Sequence, residues 1–200
     1  MARALAPSPT LILLDEPFSA LDAGLRAQLR DDIREALRAD HATAVLVTHD
    51  QDEALSLADH VAVMAEGAMA MQGTPEDVYR RPNSLTVARF VGEVTELPGV
   101  AAGGSVCTVL GELPLRADQA TASGPGLAVL RPEQIAIDPT GAMAMIQSIR
   151  YFGRDTDITA VVWNGSQSYP LRCRTSTPAP PSGAIRLRVN GVVSFFAEQL

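Results

Sequence analysis

No lysine occurs anywhere in these 200 residues; all 16 basic side chains are arginine. The absence excludes a phosphate-cradling loop of the G-x-x-x-x-G-K-[ST] type within this sequence, because the lysine of that loop reaches the β and γ phosphates. Cysteine is nearly absent as well. Cys107 and Cys173 stand far apart with no C-x-x-C spacing, and only three histidines accompany them. That argues against a metal site and predicts a buried pair of free thiols in a reducing cytosol. No apolar run approaches the ~18 residues that cross a bilayer. Met1 to Leu5 carry one charge with no hydrophobic region or cleavage signal, so a secretory peptide is not expected. A net charge of −7 offers no clustered cations for nucleic-acid phosphates, so no nucleic-acid partner is expected. Aromatics make up 4% of the chain, and Tyr151, Phe152 and Trp163 are expected to pack in a core.

What is present is a large apolar fraction, 46%, with 20% charged residues. That balance supports a folded core in one large or two small domains. Two parts differ in grammar. Residues 1–92 hold eight arginines against fourteen acids, whereas residues 93–200 hold eight against nine. The second part also carries nine of the fourteen prolines.

The first part alternates strand and helix. Residues 10–15 form an apolar run of strand length, and Asp22 is placed to cap a helix over residues 23–39. Leu25, Leu29, Ile33 and Leu37 recur every fourth position along it. Arg26, Arg30, Arg34 and Arg38 repeat one position further on, interspersed with Asp31, Asp32 and Glu35, which reads as a solvated face. A short strand over 44–47, a helix over 51–58 and a hairpin turning at Glu66-Gly67 follow. Thr74-Pro75-Glu76-Asp77 starts another helix. Alternating strands and helices predict an α/β layer with a mostly parallel sheet.

From Glu93 onward the helical period disappears. Apolar segments at 106–110, 127–130, 143–149, 158–163, 185–189 and 192–196 are separated by Gly, Pro, Asn and Asp. Asn164-Gly165 is a strong hairpin signal. Short strands at regular turn spacing predict a small antiparallel barrel.

The chemistry-bearing residues lie in the first part. Leu11-Ile12-Leu13-Leu14-Asp15-Glu16-Pro17 delivers two carboxylates to the end of an apolar strand. Asp15 is suited to hold Mg²⁺, which prefers oxygen ligands, and Glu16 to polarise an attacking water. Taken alone, Asp-Glu-Pro is equally the mark of a solvated strand end. Ser19-Ala20-Leu21-Asp22 close behind, and Val47-Thr48-His49-Asp50 after a second apolar run, favour the site reading. His41 and His60 have no such context and are read as surface residues.

In that order and spacing the three segments resemble the Walker B motif, D-loop and H-loop of an ABC-transporter ATPase. The resemblance makes Asp15 the Walker B aspartate, Glu16 the catalytic glutamate, Ser19 and Asp22 part of a nucleotide-facing D-loop, and His49 the switch histidine. Met1 to Ala6 look like the end of the helix that follows the LSGGQ signature. Gln72-Gly73-Thr74-Pro75 with Tyr79 is typical of importers for solutes and metal ions. Phe90-Val91-Gly92-Glu93, Leu130-Arg131-Pro132-Glu133 and Ile149-Arg150-Tyr151-Phe152-Gly153 resemble the accessory OB-like (TOBE) domain of those importers. The combination is most similar to ferric-iron importers, with polyamine and sugar importers close behind.

The resemblance implies ATP and Mg²⁺, integral-membrane permease subunits, a second ATPase copy, indirect contact with a substrate-binding protein, and a peripheral place on the cytoplasmic face of the membrane. It also places Walker A, the Q-loop and LSGGQ upstream of Met1. The chain is then expected to be inactive alone, as a gene fragment, a misplaced start or half of a split protein. A slot is expected in the sheet between the strand before His49 and the strand at 61–65. An alternative reading is a non-catalytic regulatory or interaction remnant of such a subunit.

Overall fold

In the computed structural model, which describes residues 10–19, 21–39, 41–176 and 182–198, the apolar run before Asp15 forms strand β1 (Leu11–Asp15). The signature-helix resemblance at Met1 to Ala6, and Ala20 of the D-loop string, lie outside the described residues. The chain divides into two compact units, Met1–Arg81 and Pro82–Leu200.

In the first unit β1 pairs in parallel with β2 (Thr43–Val47), Leu11 opposite Thr43 and Asp15 opposite Val47. Parallel neighbours need a crossover, and helix α1 (Ala23–Ala39) supplies it. The Asp22 carboxylate accepts the Leu25 amide at 2.9 Å and so caps its first turn. Within α1, Ile33 is buried while Leu25 stays exposed. Helix α2 (Gln51–Leu57) follows, capped by Asp50. Strands β3 (Val61–Ala65) and β4 (Ala68–Gly73) form an antiparallel hairpin. Its turn places Glu66 and Gly67 at φ of 52° and 77°, the left-handed pair that a two-residue hairpin of this hand requires. Helix α3 (Pro75–Arg80) begins with the Thr74 side chain accepting the Asp77 amide.

The parallel pair and the hairpin are separate sheets. A cleft of about 730 Å³ is lined by Leu14, Phe18 and Ile33, by Leu46 of β2, and by Leu57 and Ala62. The other face of the pair is open: Leu11, Leu13, Val45 and Val47 are exposed, Leu13 by 72%. Each apolar side chain left in water forgoes roughly 1.5–3 kcal/mol of burial.

The second unit is mostly strand. Helix α4 (Leu85–Phe90), capped by Ser84, precedes β5 (Thr95–Ala102), β6 (Ser105–Thr108), β7 (Gly111–Pro114), β8 (Gly124–Leu130), β9 (Ile135–Tyr151), β10 (Thr156–Asn164), β11 (Gln167–Thr175), β12 (Ala184–Val189) and β13 (Ser194–Ala197). They form a five-stranded sheet, β13-β8-β5-β6-β7, and a four-stranded sheet, β11-β10-β9-β12. Leu97, Val106 and Leu130 of the first share one apolar core with Ile158, Leu171 and Leu187 of the second. The buried Arg131 guanidinium donates to the carbonyls of Ala88 (3.0 Å) and Glu93 (3.2 Å), tying the end of α4 to the strands.

Two expectations are corrected here. Tyr151, Phe152 and Trp163 do not fill the core; they are 76%, 59% and 49% exposed. The pair of buried thiols is also wrong by half, since Cys173 is buried but Cys107 is exposed.

Candidate active site

Asp15 ends β1 on its exposed edge, level with Val47 at the end of β2. Parallel pairing therefore brings the acids after one strand beside the histidine after the other. The Glu16 amide still donates to the Val47 carbonyl at 2.8 Å. Glu16 then turns to a φ of 43°, a left-handed conformation that costs a non-glycine residue about 1–3 kcal/mol and is characteristic of functional sites. The turn delivers its carboxylate to His49: Glu16 Oε1 lies 2.9 Å from His49 Nδ1.

Both side chains are open to solvent, His49 by 75% and Glu16 by 47%. Their hydrogen bond is the largest influence raising the His49 pKa above the ordinary histidine value, followed by the charge of Glu16 and smaller contributions from Glu53 and Asp50. An accessible carboxylate paired with a proton-holding imidazole is suited to orienting and polarising a water molecule.

The turn after Glu16 is held locally. Ser19 donates to the Glu16 carbonyl through both its amide (3.2 Å) and its hydroxyl (3.0 Å). Asp22 spends its Oδ1 on the cap of α1. Glu16, His49 and Ser19 are thus linked directly, and Asp15 is adjacent in the chain. Among the described residues, Asp22 has no side-chain bond to any of them.

Sequence reasoning missed the layer behind His49. Arg26 and Arg30 do not belong to a solvated face. Arg26 Nη1 donates to Asp50 Oδ2 at 3.3 Å, and its Nη2 to the Leu21 carbonyl at 2.9 Å. Arg30 lies 3.8 Å from both Asp50 and the buried Glu53. Glu53 in turn accepts the Thr48 hydroxyl at 2.6 Å, and that hydroxyl accepts the Asp50 amide at 3.0 Å. Only Arg34 and Arg38, further along α1, are exposed. The available signal was spacing: Arg26 and Arg30 occupy the first two turns of a helix that starts beside the site, whereas the later arginines lie one to three turns away.

No family model matches the chain. It is 38% identical over 206 residues to the Fe(3+) ions import ATP-binding protein FbpC 2 of Pectobacterium atrosepticum, covering 99% of this chain and 59% of that protein. It is 39% identical over 201 residues to the Fe(3+) ions import ATP-binding protein FbpC of Serratia marcescens, covering 98% and 58%. A shorter match, 45% over 145 residues, is to the protein of that name from Mesorhizobium japonicum, covering 72% and 40%. The chain spans somewhat more than half the length of the first two relatives. Along nearly its whole length, the chain is similar to proteins named as Fe(3+) ions import ATP-binding proteins.

Proposed function

We infer that the chain supplies the hydrolytic part of the ATP-binding subunit of an importer, with ferric iron as cargo. The single observation that carries the reading is the Glu16–His49 contact at the ends of two paired parallel strands. Glu16 polarises the water that attacks the γ phosphate, and His49 fixes the Glu16 carboxylate and the phosphate oxygen. The exposed carboxylate of Asp15, at the strand end, fits Mg²⁺ as a hard oxygen donor. Bound there, the ion would neutralise phosphate charge. Ser19 and Asp22 face the nucleotide from the turn after Glu16. The names of the relatives support iron as cargo.

Residues 1–92 are then the later part of an ABC ATPase domain, and residues 93–200 an OB-like TOBE domain. Two antiparallel sheets around one core support the latter. The cleft beside Leu46 of β2 and Ala62 of β3 supports a partial P-loop layer with room for a further strand. The partners are integral-membrane permease subunits, a second ATPase copy and, indirectly, a substrate-binding protein. The place is the cytoplasmic face of the membrane, held peripherally; among the described residues no helix is long and apolar enough to cross it. The absence of lysine supports a second reading for these 200 residues in isolation, a non-catalytic interaction module.

A chimera separates the two. The chain replaces the matching stretch of the Pectobacterium relative, whose own upstream segment is kept. Mg-ATP hydrolysis by the chimera supports the first reading. A folded, nucleotide-binding chimera without turnover supports the second.

A further inference from the structure

We propose that Arg26 is a positioning residue for His49, a strut tying the backbone at Leu21 to the turn at residues 48–50 and so setting where the imidazole meets Glu16. The geometry is specific. One terminal nitrogen of Arg26 holds the Leu21 carbonyl and the other holds Asp50, the residue after His49. A guanidinium spans two acceptors in fixed directions, which a lysine ammonium on one flexible stem does not. The residue before His49 is held too, since Thr48 is bonded to the buried Glu53, which Arg30 faces. His49 is therefore flanked on both sides by anchored neighbours while its own ring stays in solvent.

The Nε atoms of both Arg26 and Arg30 are buried without a hydrogen-bond partner, and leaving a buried donor unsatisfied is unfavourable. The terminal nitrogens face Asp50, Glu53 and the Leu21 carbonyl while Nε is left over. The consequence is mechanical coupling. A shift of the backbone at Leu21 pulls on Asp50 through Arg26, and so moves His49 relative to Glu16.

The sign of one measurement separates this role from a simple charge effect. The charged groups around His49 are Glu16, Asp50 and Glu53, with Arg26 and Arg30 behind the two latter acids. Deleting the Arg26 cation alone would raise the His49 titration midpoint, because a nearby positive charge disfavours imidazolium. Loosening the Glu16 contact would lower it.

The test is ring NMR titration of His49 in the full 200-residue chain, with His41 and His60 as internal references. In R26M the His49 midpoint falls while β1–β2 backbone resonances stay in place, and R26K, which cannot hold both acceptors, falls part of the way. An unchanged or raised midpoint in R26M overturns the proposal. If R26M loses the β1–β2 resonances, R26K decides, and a wild-type midpoint there overturns the proposal.

The kinetic arm rests on the hydrolase reading above. In the chimera, R26M lowers kcat by ~10–100-fold with KM little changed, as expected when a catalytic group is displaced by about 1 Å. Unchanged kcat overturns the coupling. A lowered midpoint together with a chimera that never hydrolyses ATP leaves the strut in place and removes the hydrolase reading instead.

Discussion

Glu16 and His49 lie 33 residues apart in sequence, yet their side chains meet at 2.9 Å. Helix α1 takes up most of that separation, and the parallel register of β1 and β2 closes it. The contact has a pH signature with a definite sign. His49 is raised above the ordinary value of 6.5, first by the Glu16 hydrogen bond and then by its charge. A raised histidine contributes stability that is complete below the unfolded value and is lost as pH rises through the folded one. We expect the stability difference between wild type and H49Q to be present just below pH 6.5 and to shrink as the pH climbs above it. Urea titrations across that range measure it. A difference that grows with pH contradicts the assignment.

The two cysteines differ in reactivity. Burial, and then the charge of Asp157, push the Cys173 thiol up to about 11, and its Sγ donates to the Ile135 carbonyl at 2.8 Å. Cys107 is exposed. Thiolate is the reactive form, so iodoacetamide at neutral pH modifies Cys107 and spares Cys173 until the chain is denatured. Mass spectrometry of the labelled peptides reads the outcome, and early labelling of Cys173 counts against the core described for the second unit.

Gly141 is a packing position. A Cβ there would lie 2.2 Å from the Leu187 carbonyl oxygen, where the β9–β12 register shifts between Arg186 and Leu187. Backbone, not a flexible side chain, is in the way. G141A should cost about 1–3 kcal/mol, the range for overpacking. Chemical denaturation followed through Trp163 fluorescence tests it, and a variant of wild-type stability would refute the close approach.

Amide exchange should divide the chain. Strands β1 and β2 form a two-stranded sheet with four large apolar side chains exposed, whereas β8 and β10 lie within the larger sheets of the second unit and contribute to its core. Opening free energy follows buried apolar contact. The amides of Leu13 and Val45 are expected to exchange faster than those of Ala128 and Ala160. Equal protection in a monodisperse monomer would contradict it.

Much of this architecture was legible in the residues. The four-residue period of Leu25, Leu29, Ile33 and Leu37 marks α1 over the same residues the structure assigns, and Thr74-Pro75 marks the start of α3. Strand β5 was hidden because it contains Pro98 and Gly99. β8 pairs with it from Thr95 to Ala101 all the same, Pro98 opposite Leu127, and Gly99 is needed where β6 comes close, since a Cβ there would lie 2.7 Å from the Cys107 carbonyl oxygen. Strand β9 was read as a short run at 143–149, since Pro139 and Gly141 look like a break; the register shift opposite β12 absorbs them within one strand. The Arg26–Asp50 tie was missed for a different reason. A row of arginines among acids has the same pattern whether it faces solvent or a neighbouring loop, and only the place of Arg26 and Arg30 in the first two turns of α1 sets them apart.

The central claim is that Glu16 activates water for ATP hydrolysis with His49 as its partner. The most direct measurement is single-turnover Mg-ATP hydrolysis in the chimera carrying E16Q, with nucleotide binding measured in parallel. Glutamine keeps the shape and a hydrogen bond to His49 but cannot accept a proton. Hydrolysis in E16Q is expected to slow by ~10²–10⁴-fold, the usual worth of a positioned general base, with ATP still bound. Hydrolysis at the unsubstituted rate in E16Q would contradict it.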